Sequence, residues 1–101
     1  MPLFTKGFDD ARALTLHFIK HGALLGAADE NAYLVMADLF LGAPLAVGTA
    51  ECTRQSDNDR LRFCEAAQRF GVLRTDNVIR TFYQFDPPPR DAAWFAKRCA
   101  G

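Results

Sequence analysis

The segment VLRTDNVIRTFYQF, Val72 to Phe85, can be built in two ways, and each gives a different protein. As a helix it opens at Thr75 or Asp76 and gathers Val78, Ile79, Phe82 and Tyr83 on one side. As a hairpin, Val72 to Arg74 pairs with Val78 to Phe85 across Thr75, Asp76 and Asn77. The residues before it favour the helix. Ser56 followed by Asp59 resembles a capping box, and Phe63, Ala66, Ala67 and Phe70 then recur at helical spacing before Gly71. This pattern predicts a helix over 59–70.

Working outward, Ala11, Leu14, Phe18 and Leu25 share one helical face, with Asp9 or Asp10 at its start and Gly22 or Gly26 at its end. A second helix is predicted over 29–41, opened by Asp29 and Glu30, stopped by Gly42, and carrying Tyr33, Met36, Ala37 and Phe40 as a stripe. In APLAVGTAECTRQ, Pro44 suits a first helical turn, whereas Val47, Gly48 and Thr49 also suit a short strand; helix is the reading adopted. Pro87, Pro88 and Pro89 form a stiff spacer before a short C-terminal helix over 90–99. The expected fold is therefore mainly α, a single small domain (1–101) of four to six short helices. An α+β fold with a small sheet from residues 45–54 and 72–85 is the alternative.

Composition supports a helical core. Half of the 101 residues are hydrophobic, Val and Ile together contribute six, and Ala, Leu and Phe dominate. Twelve basic residues balance twelve acidic ones, so no charge excess draws the chain to nucleic acid or a membrane surface. Cys52, Cys64 and Cys99 are odd in number, lack CxxC spacing and read as buried packing residues in a reducing cytosol. The N-terminal MPLFTKGFDD is too acidic for a secretory signal, and the uncharged run Leu39 to Ala50 is too short to span a bilayer.

The segment AAQRFGVLRTDNVIRTF, Ala66 to Phe82, resembles the helix-turn-helix of many bacterial regulators, with Ala67, Gly71 and Val72 at the matching positions. Its apolar anchor arrives at Val78, one residue beyond the usual slot, which Asn77 occupies. The resemblance implies a DNA-binding transcriptional regulator using residues 59–85, with Arg74, Thr75, Asn77, Arg80 and Gln84 contacting phosphates and base edges.

No catalytic constellation assembles from the remaining residues. His17 and His21 lie four apart on one helix, but Phe18 stands where a zinc protease carries Glu, so neither a metal nor another cofactor is expected. The seven glycines occur outside phosphate-loop patterns. Tyr83, Phe85 and Trp94 cluster late in the chain with Arg80, Arg90 and Arg98, and aromatic residues with Arg are the residue types enriched at binding hot spots. The adopted reading is a non-enzymatic, cytoplasmic protein-binding module: a small regulator, adaptor or inhibitor whose partner is another protein or complex, or a second copy in a homodimer, with no membrane partner.

Overall fold

A computed structural model describes residues 2–101. It corrects the mainly α expectation: among these residues three helices flank a four-stranded antiparallel sheet, an α+β fold. Helices α1 (Ala11–Leu25) and α2 (Glu30–Gly42) come first, then β1 (Thr49–Thr53), β2 (Arg60–Cys64), β3 (Arg69–Leu73) and β4 (Ile79–Gln84), then α3 (Ala92–Ala100). The strands lie in chain order β1-β2-β3-β4. No helix among the described residues is long and apolar enough to cross a membrane.

Each helix begins where its capping chemistry sits. The carboxylates of Asp10, Asp29 and Asp91 accept from the backbone N–H three residues on, satisfying a donor that the first turn leaves open. Gly26, at φ 75°, closes α1 in the left-handed conformation that glycine adopts without a Cβ clash.

The helix expected over 59–70 is instead the β2–β3 hairpin, and the residues thought to cap it form the β1–β2 turn. There Asp57 accepts from Asp59 N–H at 3.0 Å and from Arg54, and Asn58 takes φ 62°. The helical spacing of Phe63 and Phe70 has a second solution: the two lie directly opposite in the β2–β3 register, so one face carries both rings. Ala66 and Ala67 are exposed turn residues. Thr49–Thr53 is likewise a strand and not the helix adopted for APLAVGTAECTRQ, which places it inside the 45–54 segment of the α+β alternative.

Period-two alternation divides the sheet into two buried faces. Gly71, Leu73 and Phe82 face α1 and α2, where they join Phe8, Leu25, Tyr33, Ala37, Leu41 and Ile79 in one core. Gly71 leaves room for Leu41: a Cβ would come within 2.9 Å of the Leu41 side chain, which would have to shift to admit it. Leu61, Phe63, Phe70 and Val72 face the other way, against Phe95 of α3, with Cys52, Tyr83, Phe85, Trp94 and Cys99 around them.

Cys52 and Cys99 are joined in a disulfide across a separation of 47 residues, which corrects their reading as simple packing residues. Cys64 remains free. Before α1, the chain straps the far edge of the sheet. Asp38, 3% exposed, accepts from Phe4 N–H, Thr5 N–H and the Thr5 hydroxyl, and Ile79 N–H then donates to Gly7 C=O at 2.8 Å.

Candidate functional site

The end of β4, the Pro87–Pro89 segment and the first turn of α3 converge on one aromatic surface. Tyr83 extends from the α3 face of the edge strand, edge-on to Phe70 at 5.8 Å. Phe85 continues past the strand end, 5.2 Å from Tyr83 and 4.9 Å from Trp94, both in T-shaped contact. Such edge-to-face contacts suit the ring quadrupoles. Two guanidinium groups complete the row: Arg90 lies 5.2 Å from the Phe85 ring centroid and Arg98 lies 5.0 Å from that of Trp94.

The local chemistry explains the arrangement. Asp91 caps α3 through Trp94 N–H at 2.9 Å, which sets Trp94 in the first turn facing the sheet. Trp94 and Arg98 are four apart and therefore stack along one helical face. Lys97 and Arg98 occupy the last turn, where positive charge meets the helix dipole.

Gln68 fixes Arg90. In the β2–β3 turn at φ 56°, its amide donates to Arg90 C=O at 2.9 Å and accepts Arg90 N–H at 2.6 Å. Its backbone carbonyl also accepts Phe85 N–H at 2.8 Å. Sequence reasoning missed this clamp, because Gln68 fell inside the expected helix and its partners lie 22 residues away.

His21, weighed in the sequence only as a metal ligand with His17, packs here against the aromatic row. Its ring stacks on Tyr83 at 5.1 Å and lies 5.9 Å from His17, which in turn lies 5.0 Å from Phe8. Aromatic packing thus continues from α1 round the β4 edge to α3. Among the described residues no group of three or more His, Cys, Asp or Glu side chains could hold a metal ion.

Burial and the Lys20 charge lower the His17 pKa from 6.5, while burial, His17 and Lys20 lower that of His21. Well above pH 6.5 both residues are neutral in the folded and unfolded chain and contribute no pH dependence. As pH falls through 6.5 the unfolded chain takes up protons that the folded one refuses, so stability declines until the lowered folded pKa values are passed. Thermal unfolding of the wild type should therefore fall more steeply below pH 6.5 than that of a His17→Gln/His21→Gln double variant. Parallel pH profiles would contradict the assignment. Burial also raises the Tyr83 pKa, keeping its phenol protonated.

The six residues expected to bind protein do not all meet. Tyr83, Phe85, Trp94, Arg90 and Arg98 form the row, whereas Arg80 lies at the opposite end of β4, bound to the buried Asp59 carboxylate at 2.7 Å. The helix-turn-helix is absent, since its span forms the β2–β3 turn, β3 and β4. Arg74 pairs with Asp76 at 2.6 Å, Thr75 and Asn77 lie in the β3–β4 turn, and Asn77 donates to Phe4 C=O. Gln84 accepts from Arg69 at 3.5 Å. These side chains do not project from a recognition helix. Neither family models nor curated proteins match the sequence.

Proposed function

We propose that this chain is a non-catalytic protein-binding module, a small regulator, adaptor or inhibitor that docks on another protein through Tyr83, Phe85, Trp94, Arg90 and Arg98. The observation that carries this reading is the pair of guanidiniums stacked on the touching Phe85 and Trp94 rings. The ion pairs of the described residues involve Arg54, Arg60, Arg62, Arg74 and Arg80 instead. Arg90 and Arg98 therefore retain donors for a partner's carboxylates or carbonyls, while ring stacking reduces the side-chain entropy lost on docking.

Affinity capture from the native host tests the proposal. Tyr83, Phe85 and Trp94 also pack against the core, so the informative variant is Arg90→Ala/Arg98→Ala. One captured protein should fall by at least about tenfold, equivalent to about 1.4 kcal/mol, while the far-UV CD spectrum shows the fold retained. Equal recovery by the variant would remove the surface from consideration.

The compartment belongs to the same proposal. A cytoplasmic location keeps Cys52 and Cys99 reduced, whereas their bond persists where thiols are oxidised. Alkylation of the protein in freshly quenched host cells distinguishes the two.

A further inference from the structure

The sheet has two edges, and the chain treats them differently. Along β4 the strap occupies the strand start, with Lys6 N–H donating to Asn77 C=O, Ile79 N–H donating to Gly7 C=O and a parallel bridge between Phe8 and Ile79. The Tyr33 hydroxyl donates to the outward Phe82 carbonyl. Along β1 the neighbouring segments tie down only the ends.

Antiparallel alternation identifies the groups left over. Arg54 N–H donates to Asp59 C=O in continuation of the β1–β2 register, so Ala50 and Cys52 point their backbone groups toward β2 while Thr49, Glu51 and Thr53 point theirs away. Of the outward groups, Thr49 N–H donates to Ala46 C=O, and beyond the strand Gln55 N–H donates to Cys99 C=O. Between those two ties, the main chain of Glu51 and Thr53 and the Thr49 carbonyl face outward. Edge strands are commonly protected by Lys, Pro, a bulge or a covering segment. Thr49–Thr53 contains neither Lys nor Pro, its one charge, Glu51, is paired with Arg60 and Arg62, and its register runs unbroken.

We propose that β1 pairs antiparallel with β1 of a second copy of this chain, about a twofold axis at Glu51, joining two sheets into one. The occupant follows from the strand itself. TAECT is nearly palindromic in residue type, so the axis sets Thr49 opposite Thr53 and Ala50 opposite Cys52, β-branched against β-branched and small against small. Each Glu51 N–H meets the other copy's Glu51 C=O, and each Thr53 N–H meets the other copy's Thr49 C=O. Both free donors, the Glu51 and Thr53 N–H groups, then find acceptors; the Thr53 carbonyl alone gains none, because the Thr49 N–H opposite it is already bonded to Ala46 C=O. The two Glu51 carboxylates come together at the axis, where each is already held by Arg62 Nε at 2.8 Å and Arg60 Nε at 3.2 Å, offsetting their repulsion. Val47, fully exposed, and Leu45, 46% exposed, precede the strand and gain apolar cover from the arriving chain.

Sedimentation of the purified protein over a concentration series should show a dimer. Thr53→Pro removes an outward N–H without touching the β1–β2 ladder, and should raise the dimer dissociation constant at least tenfold with an unchanged far-UV CD spectrum. Hydrogen exchange on the wild type provides a readout that needs no variant: the Glu51 and Thr53 amides should become at least tenfold slower on concentration into the dimer. A chain that stays monomeric throughout overturns self-pairing and leaves the edge to a strand of another protein. A dimer in which these two amides exchange fast, or one that a folded Thr53→Pro variant forms equally well, overturns it too.

Discussion

Breaking the Cys52–Cys99 bond, by reductant or by Cys99→Ser, is expected to lower the free energy of unfolding by about 4 kcal/mol. That figure is the chain entropy released to the unfolded state when a cross-link spanning 47 residues is lost. It is a large share of the roughly 5–15 kcal/mol that holds a small domain folded. Cys64 cannot substitute, because alternation along β2 turns it away from the face carrying Leu61, Phe63 and α3. Urea unfolding should show the wild type losing this stability on reduction, while Cys99→Ser starts low and ignores the reductant. Identical midpoints for oxidised and reduced wild type would show that the bond does not constrain the unfolded chain.

Phe82→Ala should cost about 3–5 kcal/mol and lower Tm by on the order of 20 °C. Phe82 is fully buried at the middle of β4, 5.2 Å from the Phe40 ring and 6.0 Å from that of Tyr33, opposite the side-chain-free Gly71. Its removal leaves a cavity lined by α2 on one side and the sheet on the other, and neither can close without breaking regular structure. Tyr33→Phe is the informative contrast. It keeps the ring and deletes only the hydroxyl that donates to Phe82 C=O, so about 1 kcal/mol should be lost. If the two variants were equally stable, the α1/α2 face would not be the principal core.

Helices α1 and α2 were legible because their signals are local: Asp10 and Asp29 bond within their own first turns, and Gly26 closes α1 in place; the prolines at 87–89 marked where α3 follows, although its cap, Asp91, was not singled out. The sheet was misread because Phe63 and Phe70 satisfy a helix and a hairpin alike. RLRFC does alternate, but its alternate positions include Arg62, whose 5% exposure is sustained by Glu51 and by the carbonyls of Phe40 and Ala43. Those partners come from another strand and from the α2 end, so the buried cation is invisible before the chain folds. At the surface, ring and Arg content pointed to five residues that do converge. Arg80 failed because its acceptor, Asp59, comes from the turn across the sheet. The Gln68 clamp and the stacking of His21 on Tyr83 escaped because both depend on partners distant in sequence.

The order of elements along the chain also sets a schedule for biosynthesis. Helices α1 and α2 are synthesised before the sheet, yet the apolar face built from Tyr33, Ala37 and Leu41 rests on strands β3 and β4, translated about thirty or more residues later. At roughly 5–20 residues per second, about 2–8 s separate the appearance of Leu41 from that of Phe82. Throughout that interval the residues of α1 and α2 have no sheet to pack against, so their apolar face is buried only once β3 and β4 exist.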